Sequence, residues 1–132
     1  MFSFFKKKKT VAHIKLNGVI GNAGKFKQGI DFAGQEELIK KAFSLKKAAC
    51  VAITINSPGG SPVQSHLIYS LIRQEAKKNK KKVIVFAEDV AASGGYLISC
   101  AGDEIYANSS SIIGSIGAVS YTHLTLPTIL RV

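Results

Sequence analysis

A strand, a turn and a helix, in that order, are predicted by the stretch Val83-Ile-Val-Phe-Ala-Glu-Asp-Val-Ala-Ala-Ser93-Gly-Gly-Tyr-Leu-Ile-Ser-Cys100. Its first four residues are apolar and mostly β-branched, which is typical of a buried strand. A short polar bend, small residues and then helix-forming apolar residues follow. Ser93 lies at the turn into the helix, where free backbone N–H groups and the helix dipole favour a developing oxyanion. We therefore predict that Ser93 is a nucleophile, with a helix N-cap as the alternative.

A second strand is predicted by the near-continuous apolar run Ala49-Cys-Val-Ala-Ile-Thr-Ile55. It leads into the loop Asn56-Ser-Pro-Gly-Gly-Ser-Pro62 and then into a helix predicted from Val63 to Asn79. Folds with a parallel sheet place their ligands at such glycine-rich loops, next to the carboxyl ends of the strands. Backbone donors from both glycine-containing loops are therefore expected to meet around one carbonyl oxygen.

The rest of the chain continues the alternation of strands and helices. Strands are predicted over Thr10–Leu16 and Asp103–Ala107, and a helix over Gln35–Lys47. The glycine-rich segment Gly18–Gly34 has no periodicity and is expected to be a loop that borders or gates the cleft. Strands that alternate with helices at this spacing imply right-handed βαβ crossovers, so the predicted fold class is α/β with a mostly parallel sheet.

Four motifs lie in order between about Val11 and Val119: Asn56-Ser-Pro-Gly-Gly-Ser-Pro, Ala91-Ala-Ser-Gly-Gly-Tyr, Ala101-Gly-Asp-Glu-Ile-Tyr-Ala and Ile113-Gly-Ser-Ile-Gly. Together they resemble the signal peptide peptidase A / protease IV family of serine peptidases, which has the Clp protease/crotonase-like fold. The resemblance implies that Ser93 is the nucleophile. It also implies an oxyanion hole formed by the N–H of Gly94 and that of Gly59 or Gly60, of which Gly60 is preferred.

Further expectations come from the same resemblance. The family uses a lysine as its base, located well after the Gly-Ser-Ile-Gly segment. Its members cleave peptides, here expected to include remnants of signal peptides, and they form oligomers, so a homo-oligomer is expected when the protein is full length. The resemblance implies no cofactor, and the scattered histidines and cysteines lack the spacing of a metal site.

Three segments are expected along the chain: a basic N-terminal tail over residues 1–9, a partial peptidase domain over 10–119, and an anomalous tail over 120–132. The last segment has no clear period and departs from the family pattern, so the fold is expected to be incomplete at the C-terminus. In that interpretation the lysine base is missing and the chain alone is a poor peptidase.

Five residues of this chain are alternative candidates for the base. His13 lies on the first predicted strand and is interpreted as structural, and His66 on the helix after the glycine loop is interpreted as a surface or capping residue. His123 follows the serine by 30 positions, but no Asp or Glu follows it to orient its ring. Lys15 and Lys25 do not match the family position, and most of the lysines are expected to be solvated.

The formal net charge is +10, and 16 of the 18 basic residues are lysines. Arginine is scarce and no aromatic set is interleaved with the lysines, so nucleic-acid binding is not expected. Aromatic and basic residues adjoin in the N-terminal tail, where either peripheral membrane contact or a disordered solubilising tail fits the pattern: Phe2, Phe4, Phe5 and Lys6 to Lys9.

No apolar run is long enough for a membrane span, and the N-terminus lacks the order of charge and apolar stretch that marks a secretory signal. Cys50 and Cys100 are interpreted as buried free thiols of a reducing compartment. We therefore predict a cytoplasmic location, with membrane association as an open alternative.

Two other functions fit parts of the pattern. A crotonase-like acyl-CoA enzyme also uses paired backbone N–H groups, and it would draw its carboxylate from Glu88 or Asp89. An inactive fragment or membrane-associated scaffold is the non-enzymatic alternative. The position of Ser93 among small residues favours the peptidase.

Overall fold

The computed structural model describes residues 8–21 and 29–115, together with the backbone of residues 130–131. Strands and helices alternate in the order β1 (Thr10–Asn17), α1 (Phe32–Ser44), β2 (Ala48–Ser57), α2 (Pro62–Asn79), β3 (Lys82–Ala92), α3 (Gly94–Ser99), β4 (Glu104–Ala107), β5 (Ile112–Gly114) and β6 (Leu130–Arg131). These strands form one sheet in the order β1-β2-β3-β4-β6, with β5 paired to β3, and every pairing is parallel. The predicted α/β fold with a parallel sheet is confirmed.

The apolar core lies between the sheet and its helices. Side chains alternate along β2, so Val51, Ile53 and Ile55 are fully buried on one face of the sheet. Residues of α1 and α2 complete the same core, among them Ile39, Phe43, Ile68 and Ile72. No helix in the described part of the chain is long and apolar enough to cross a membrane.

β3 is longer than the sequence predicts. The polar bend expected after Ala87 is instead a continuation of the strand to Ala92. Its last residues pair with β5, with Val90 opposite Ile112 and Ala92 opposite Gly114. This pairing joins residues distant in sequence, so the local pattern of polar and small residues did not indicate it.

The first helix begins three residues before its predicted start at Gln35 and also ends earlier. Asp31 adopts extended backbone angles and its carboxylate accepts a hydrogen bond from Gly34 N at 2.7 Å, which makes it the N-cap. The helix ends at Ser44, because Leu45 is extended and residues 46–47 form a turn. An aspartate before Phe32 was the available sequence signal for this start.

The C-terminal segment contributes one short element to the described structure. Leu130 and Arg131 form β6 and pair in parallel with Ile105 and Tyr106 of β4. Sequence periodicity did not predict a strand there. The rest of the expected anomalous tail lies outside the described residues.

Two neighbouring residues of α1 test the location of the core. Ile39 is fully buried, whereas the isomeric Leu38 is 57% exposed. We expect Ile39→Ala to lower the free energy of unfolding by about 2–5 kcal/mol, since it removes buried methyl groups and leaves a cavity. Leu38→Ala, the matched control, should cost less than about 1 kcal/mol. Urea denaturation measures both, and equal losses would contradict the core assignment.

Candidate active site

Ser93 lies where β3 ends and α3 begins, in an unusual backbone conformation. Its φ is 54° and its ψ is −119°, a region that residues with a side chain rarely adopt. The backbone is held there by two hydrogen bonds: Ser93 N donates to Gly114 O at 2.8 Å, and Leu97 N donates to Ser93 O at 3.1 Å. Strained strand-to-helix turns of this type expose a nucleophile at the edge of a sheet.

The hydroxyl of Ser93 makes no capping hydrogen bond to α3. Ser93 therefore occupies the N-cap position without performing the N-cap role, which removes the main support for the alternative interpretation. The residue is half-buried.

The glycine loop after β2 lies directly against Ser93. Gly59 has a φ of 105°, and a Cβ built on it would lie 2.7 Å from Ser93 Cβ and 3.0 Å from Gly94 N. A Cβ on Gly60, whose φ is 150°, would lie 2.0 Å from Ile20 O. Only glycine fits such close backbone contacts. The structure thus brings together the three predicted oxyanion residues and the predicted nucleophile.

The first turn of α3 is packed just as closely. A Cβ on Gly94 would lie 2.2 Å from Ser65 Oγ, and one on Gly95 would lie 2.8 Å from Ser57 O. Ser57 and Ser65 are both fully buried. The two glycines after Ser93 therefore let the start of α3 contact the end of β2 and the first turn of α2.

The N–H groups of Gly59 and Gly60 differ in their bonding. Gly59 N donates to Ser57 Oγ at 3.1 Å. The contact between Gly60 and Ile20 uses other groups: Ile20 N donates to Gly59 O at 2.9 Å, and Ser61 N donates to Ile20 O at 2.8 Å. Within residues 8–21 and 29–115, the N–H of Gly60 has no hydrogen-bond partner. This leaves the N–H of Gly60, and not that of Gly59, available to a ligand.

Gly94 has a second N–H without a hydrogen-bond partner among the residues that the structure describes. It is the first residue of α3, and the first N–H groups of a helix have no partner within that helix. The surrounding loop contacts hold this end of the helix in place.

The predicted loop over Gly18–Gly34 borders this site through its described part. Ile20 is 2% exposed and forms bridges to Gly60 and Ile30. Its Cδ1 also lies 3.2 Å from the position of a Cβ on Gly94. The segment therefore borders the candidate site at Ile20, against which Ile30 is paired. The predicted loop is wrong for residues 32–34, which form the first turn of α1, and residues 22–28 lie outside the described part.

Asn56 is a supporting residue that the sequence did not identify. Its Nδ2 donates to Asp89 Oδ2 at 3.3 Å, and its Oδ1 accepts from Val90 N at 3.2 Å. These bonds lie where the register between β2 and β3 shifts. They hold in place the extension of β3 that leads to Ser93. The available signal was its position at the end of an apolar strand, directly before the glycine loop.

The carboxylates needed by the crotonase-like alternative lie on the surface. Glu88 and Asp89 are both exposed, and Asp89 accepts the hydrogen bond from Asn56. They line a shallow cavity of about 240 Å³ with Ala87, Asn108, Ser110 and Ser111. None of these contacts favours that alternative.

No described candidate for the base forms a hydrogen bond to Ser93. His13 is exposed and its Nε2 lies 2.6 Å from Thr54 Oγ1, while His66 is exposed near the ring of Tyr69. Lys15 is exposed on β1. Lys25 and His123 lie outside the described residues. Within the described part, no group of three His, Cys, Asp or Glu side chains is arranged to hold a metal.

Comparisons with known proteins agree with this arrangement. The family model described as peptidase family S49 matches residues 75–130, which include β3, Ser93 and α3. Protease 4 of Haemophilus influenzae is 43% identical over 83 residues, which are 61% of this chain and 13% of that protein. A ClpP1 mutant from Listeria monocytogenes is similar in structure with a TM-score of 0.54 and 21% identity, over 76% of this chain and 53% of that one. The expected Clp-like fold is confirmed.

A relative with a different name matches a larger part of the chain. The protein named Na(+)/H(+) antiporter NhaA of Brucella melitensis is 55% identical over 108 residues, which are 81% of this chain but 15% of that protein. The chain thus spans a small part of the curated relatives it matches. The similarity to a segment of that size does not carry ion transport to this chain.

Gly60 and Gly114 both have a positive φ, but only Gly60 is packed against another backbone segment, at Ile20. Substitution by alanine should therefore destabilise the protein more at Gly60 than at Gly114. Gly60 has no space for a Cβ, whereas Gly114, with a φ of 131°, has nothing within 4 Å. We expect Gly114→Ala to cost about 1–2 kcal/mol through backbone strain alone. Gly60→Ala should cost about 1–3 kcal/mol more, because it also forces apart the Ile20 contact. Urea denaturation tests this, and equal costs would show that the loop moves aside freely.

Proposed function

The chain belongs to peptidase family S49, the signal peptide peptidase A / protease IV family, and on that premise we propose that it carries the nucleophile and oxyanion hole of a serine peptidase acting through an acyl-enzyme. The observation that supports this most directly is the strained backbone of Ser93, whose hydroxyl does not cap its helix and which lies against Gly59. Such strain persists only where the surrounding contacts maintain it, and it is frequent at active sites.

In the proposed reaction Ser93 Oγ attacks the carbonyl carbon of the scissile peptide bond and its proton passes to a base. The carbonyl oxygen gains negative charge and accepts hydrogen bonds from the N–H groups of Gly94 and Gly60. We favour Gly60 over Gly59 because the N–H of Gly59 is already bonded to Ser57 Oγ. The amine product then leaves with a proton from the base, and water releases the acyl group from Ser93.

We propose that the base is a lysine, as in the Ser-Lys peptidases, supplied from outside the described residues. The described candidates His13, His66 and Lys15 are exposed, and none is bonded to Ser93. A lysine base requires burial that lowers its pKa towards neutrality, and an exposed lysine lacks that environment. The weak activity expected of the chain alone stays a prediction. A comparison of peptide hydrolysis by the 132-residue chain and by its longest native form would test it.

The proposed substrate is an apolar peptide in an extended conformation, such as a remnant of a signal peptide. An apolar surface beside the glycine loop supports this: Val63 is 65% exposed and Leu67 is 40% exposed in the first turns of α2. With Pro62 and His66 they line a cavity of about 290 Å³. Assembly into a homo-oligomer and a cytoplasmic location are further parts of the proposal.

Labelling with a fluorophosphonate tests the nucleophile. We expect the probe to modify Ser93 in the longest native form of the chain, because an activated serine beside an oxyanion hole reacts with it. Ser93→Ala should abolish labelling and reduce peptide hydrolysis at least about 10⁴-fold. Ser110→Ala, an exposed serine elsewhere, should label normally. Persistent labelling in the Ser93→Ala variant, located by mass spectrometry, would refute the assignment.

Two buried serines test whether the glycine loop is positioned for catalysis. Ser57→Ala removes the acceptor for Gly59 N, so we expect the loop to shift and kcat to fall about tenfold with KM little changed. Ser99→Ala is the control, since Ser99 is equally buried but its Oγ donates to Gly95 O. Its kcat should stay within about twofold of the parent. Equal losses in kcat would show a general effect of reduced stability.

A further inference from the structure

Eight lysines lie close together at the amino ends of the parallel strands, at the end of the sheet opposite Ser93. We call this group the basic edge, and its members are Lys8, Lys9, Lys46, Lys47, Lys77, Lys78, Lys80 and Lys81. All the strands are parallel, so the segments that precede β1, β2 and β3 lie at the same end of the sheet. Each of these segments contributes two adjacent lysines, and the last turn of α2 contributes the remaining pair.

The strand register places these segments side by side. Thr10 at the start of β1 is opposite Ala48 at the start of β2, and Lys82 at the start of β3 is opposite Cys50. Lys81 Nζ donates to Leu45 O, which joins the segment before β3 to the segment before β2. A cleft of about 470 Å³ at the same edge is lined by Lys8, Thr10, Lys46 and Lys47.

Little negative charge offsets the basic edge. Lys82 is next to the group but is paired with Glu104 at 2.9 Å, and this hydrogen bond raises the pKa of Lys82 above its ordinary value. Two further carboxylates are also engaged: Asp103 with Arg73 at 3.2 Å, and the buried Glu75 with Asn79. Seven members of the basic edge are exposed, and Lys81 is half-buried.

We propose that the basic edge is a docking surface for an anionic lipid membrane. Closely spaced lysines attract a negatively charged headgroup layer, and the attraction grows with each lysine near the surface. The chain that leads into Lys8 and Lys9 has the sequence Phe2-Ser-Phe-Phe-Lys-Lys7, which combines aromatic and basic residues in the way that membrane-surface segments do.

A nucleic-acid partner fits the same surface less well. Every member of the basic edge is a lysine, and the whole chain has two arginines, the residue that recognises phosphates in a bidentate manner. A membrane requires only a layer of positive point charges, which lysines provide. Anionic lipid is therefore the partner whose chemistry this surface matches.

Docking in this way fixes the orientation of the candidate active site. Ser93 follows β3, whose 11 residues begin at the basic edge. At about 3.3 Å per residue, the serine lies on the order of 30 Å from that edge. The glycine loops would then face away from the lipid. The proposal concerns a separate surface and does not depend on peptidase activity.

Vesicle binding of the full 132-residue chain tests the proposal. Partition is measured by sedimentation at 0.15 M salt, using vesicles of phosphatidylcholine alone and vesicles containing about 30% phosphatidylglycerol. We expect binding to the anionic vesicles only, with a marked decrease at higher salt. Lys47→Glu should weaken it about tenfold. Lys15→Glu, which makes the same charge change at an exposed position in β1 outside the basic edge, should weaken it less than about threefold.

The possible results separate the docking surface from its alternatives. Equal binding to neutral vesicles, no binding to either vesicle, or equal effects of the two substitutions would overturn the proposal. Binding to a short DNA duplex at 0.15 M salt without binding to anionic vesicles would also overturn it, and would assign the surface to nucleic acid. Circular dichroism confirms that both variants are folded. Ser93→Ala should bind vesicles like the parent, so loss of peptidase activity leaves this result unchanged.

Discussion

The contact between two glycine-containing backbone segments is the constraint on which the rest of the candidate site depends. Gly59 lies so near Ser93 that a single added carbon would lie 2.7 Å from the serine Cβ. The approach is closer still at two other glycines, where an added Cβ would lie 2.2 Å from Ser65 Oγ (Gly94) and 2.0 Å from Ile20 O (Gly60). No side chain separates these segments, so the backbone of Gly59 lies directly against Ser93 and Gly94. Proximity of this kind lets backbone donors stabilise a developing charge.

The sheet provides the rigidity that this contact requires. β3 continues beyond its pairing with β4 and pairs with β5, and Gly114 in that strand accepts the hydrogen bond from Ser93 N. Asn56 bonds both Asp89 and Val90 where the register shifts. The strained backbone of Ser93 is thus held from two sides, by β5 and by the end of β2. Rigid support of this kind keeps a nucleophile in place without a bound substrate.

The two ends of the sheet carry different chemistry. The carboxyl ends hold the glycine loops and Ser93, and the amino ends hold the basic edge. A parallel sheet produces this separation, since each loop before a strand lies at one end and each loop after a strand lies at the other. The S49 match over residues 75–130 includes Ser93 and α3 at the carboxyl ends and also four lysines of the basic edge.

The sequence by itself determined the alternation of strands and helices and the parallel sheet, and it singled out the candidate site residues Ser93, Gly59, Gly60 and Gly94. Apolar periodicity and glycine-rich strand ends are local signals, so they are visible along the chain. The tertiary structure alone decided that β3 extends to Ala92, that the Ser93 hydroxyl does not cap α3, and that the N–H of Gly60 is the available donor. It also decided that lysines from four segments form one edge. The extension of β3 and the grouping of the lysines depend on pairing between strands far apart in sequence, and such pairing leaves no pattern within a single segment. The bonding of the Ser93 hydroxyl and of the glycine N–H groups depends on the exact backbone geometry of the two turns, which residue types alone do not specify.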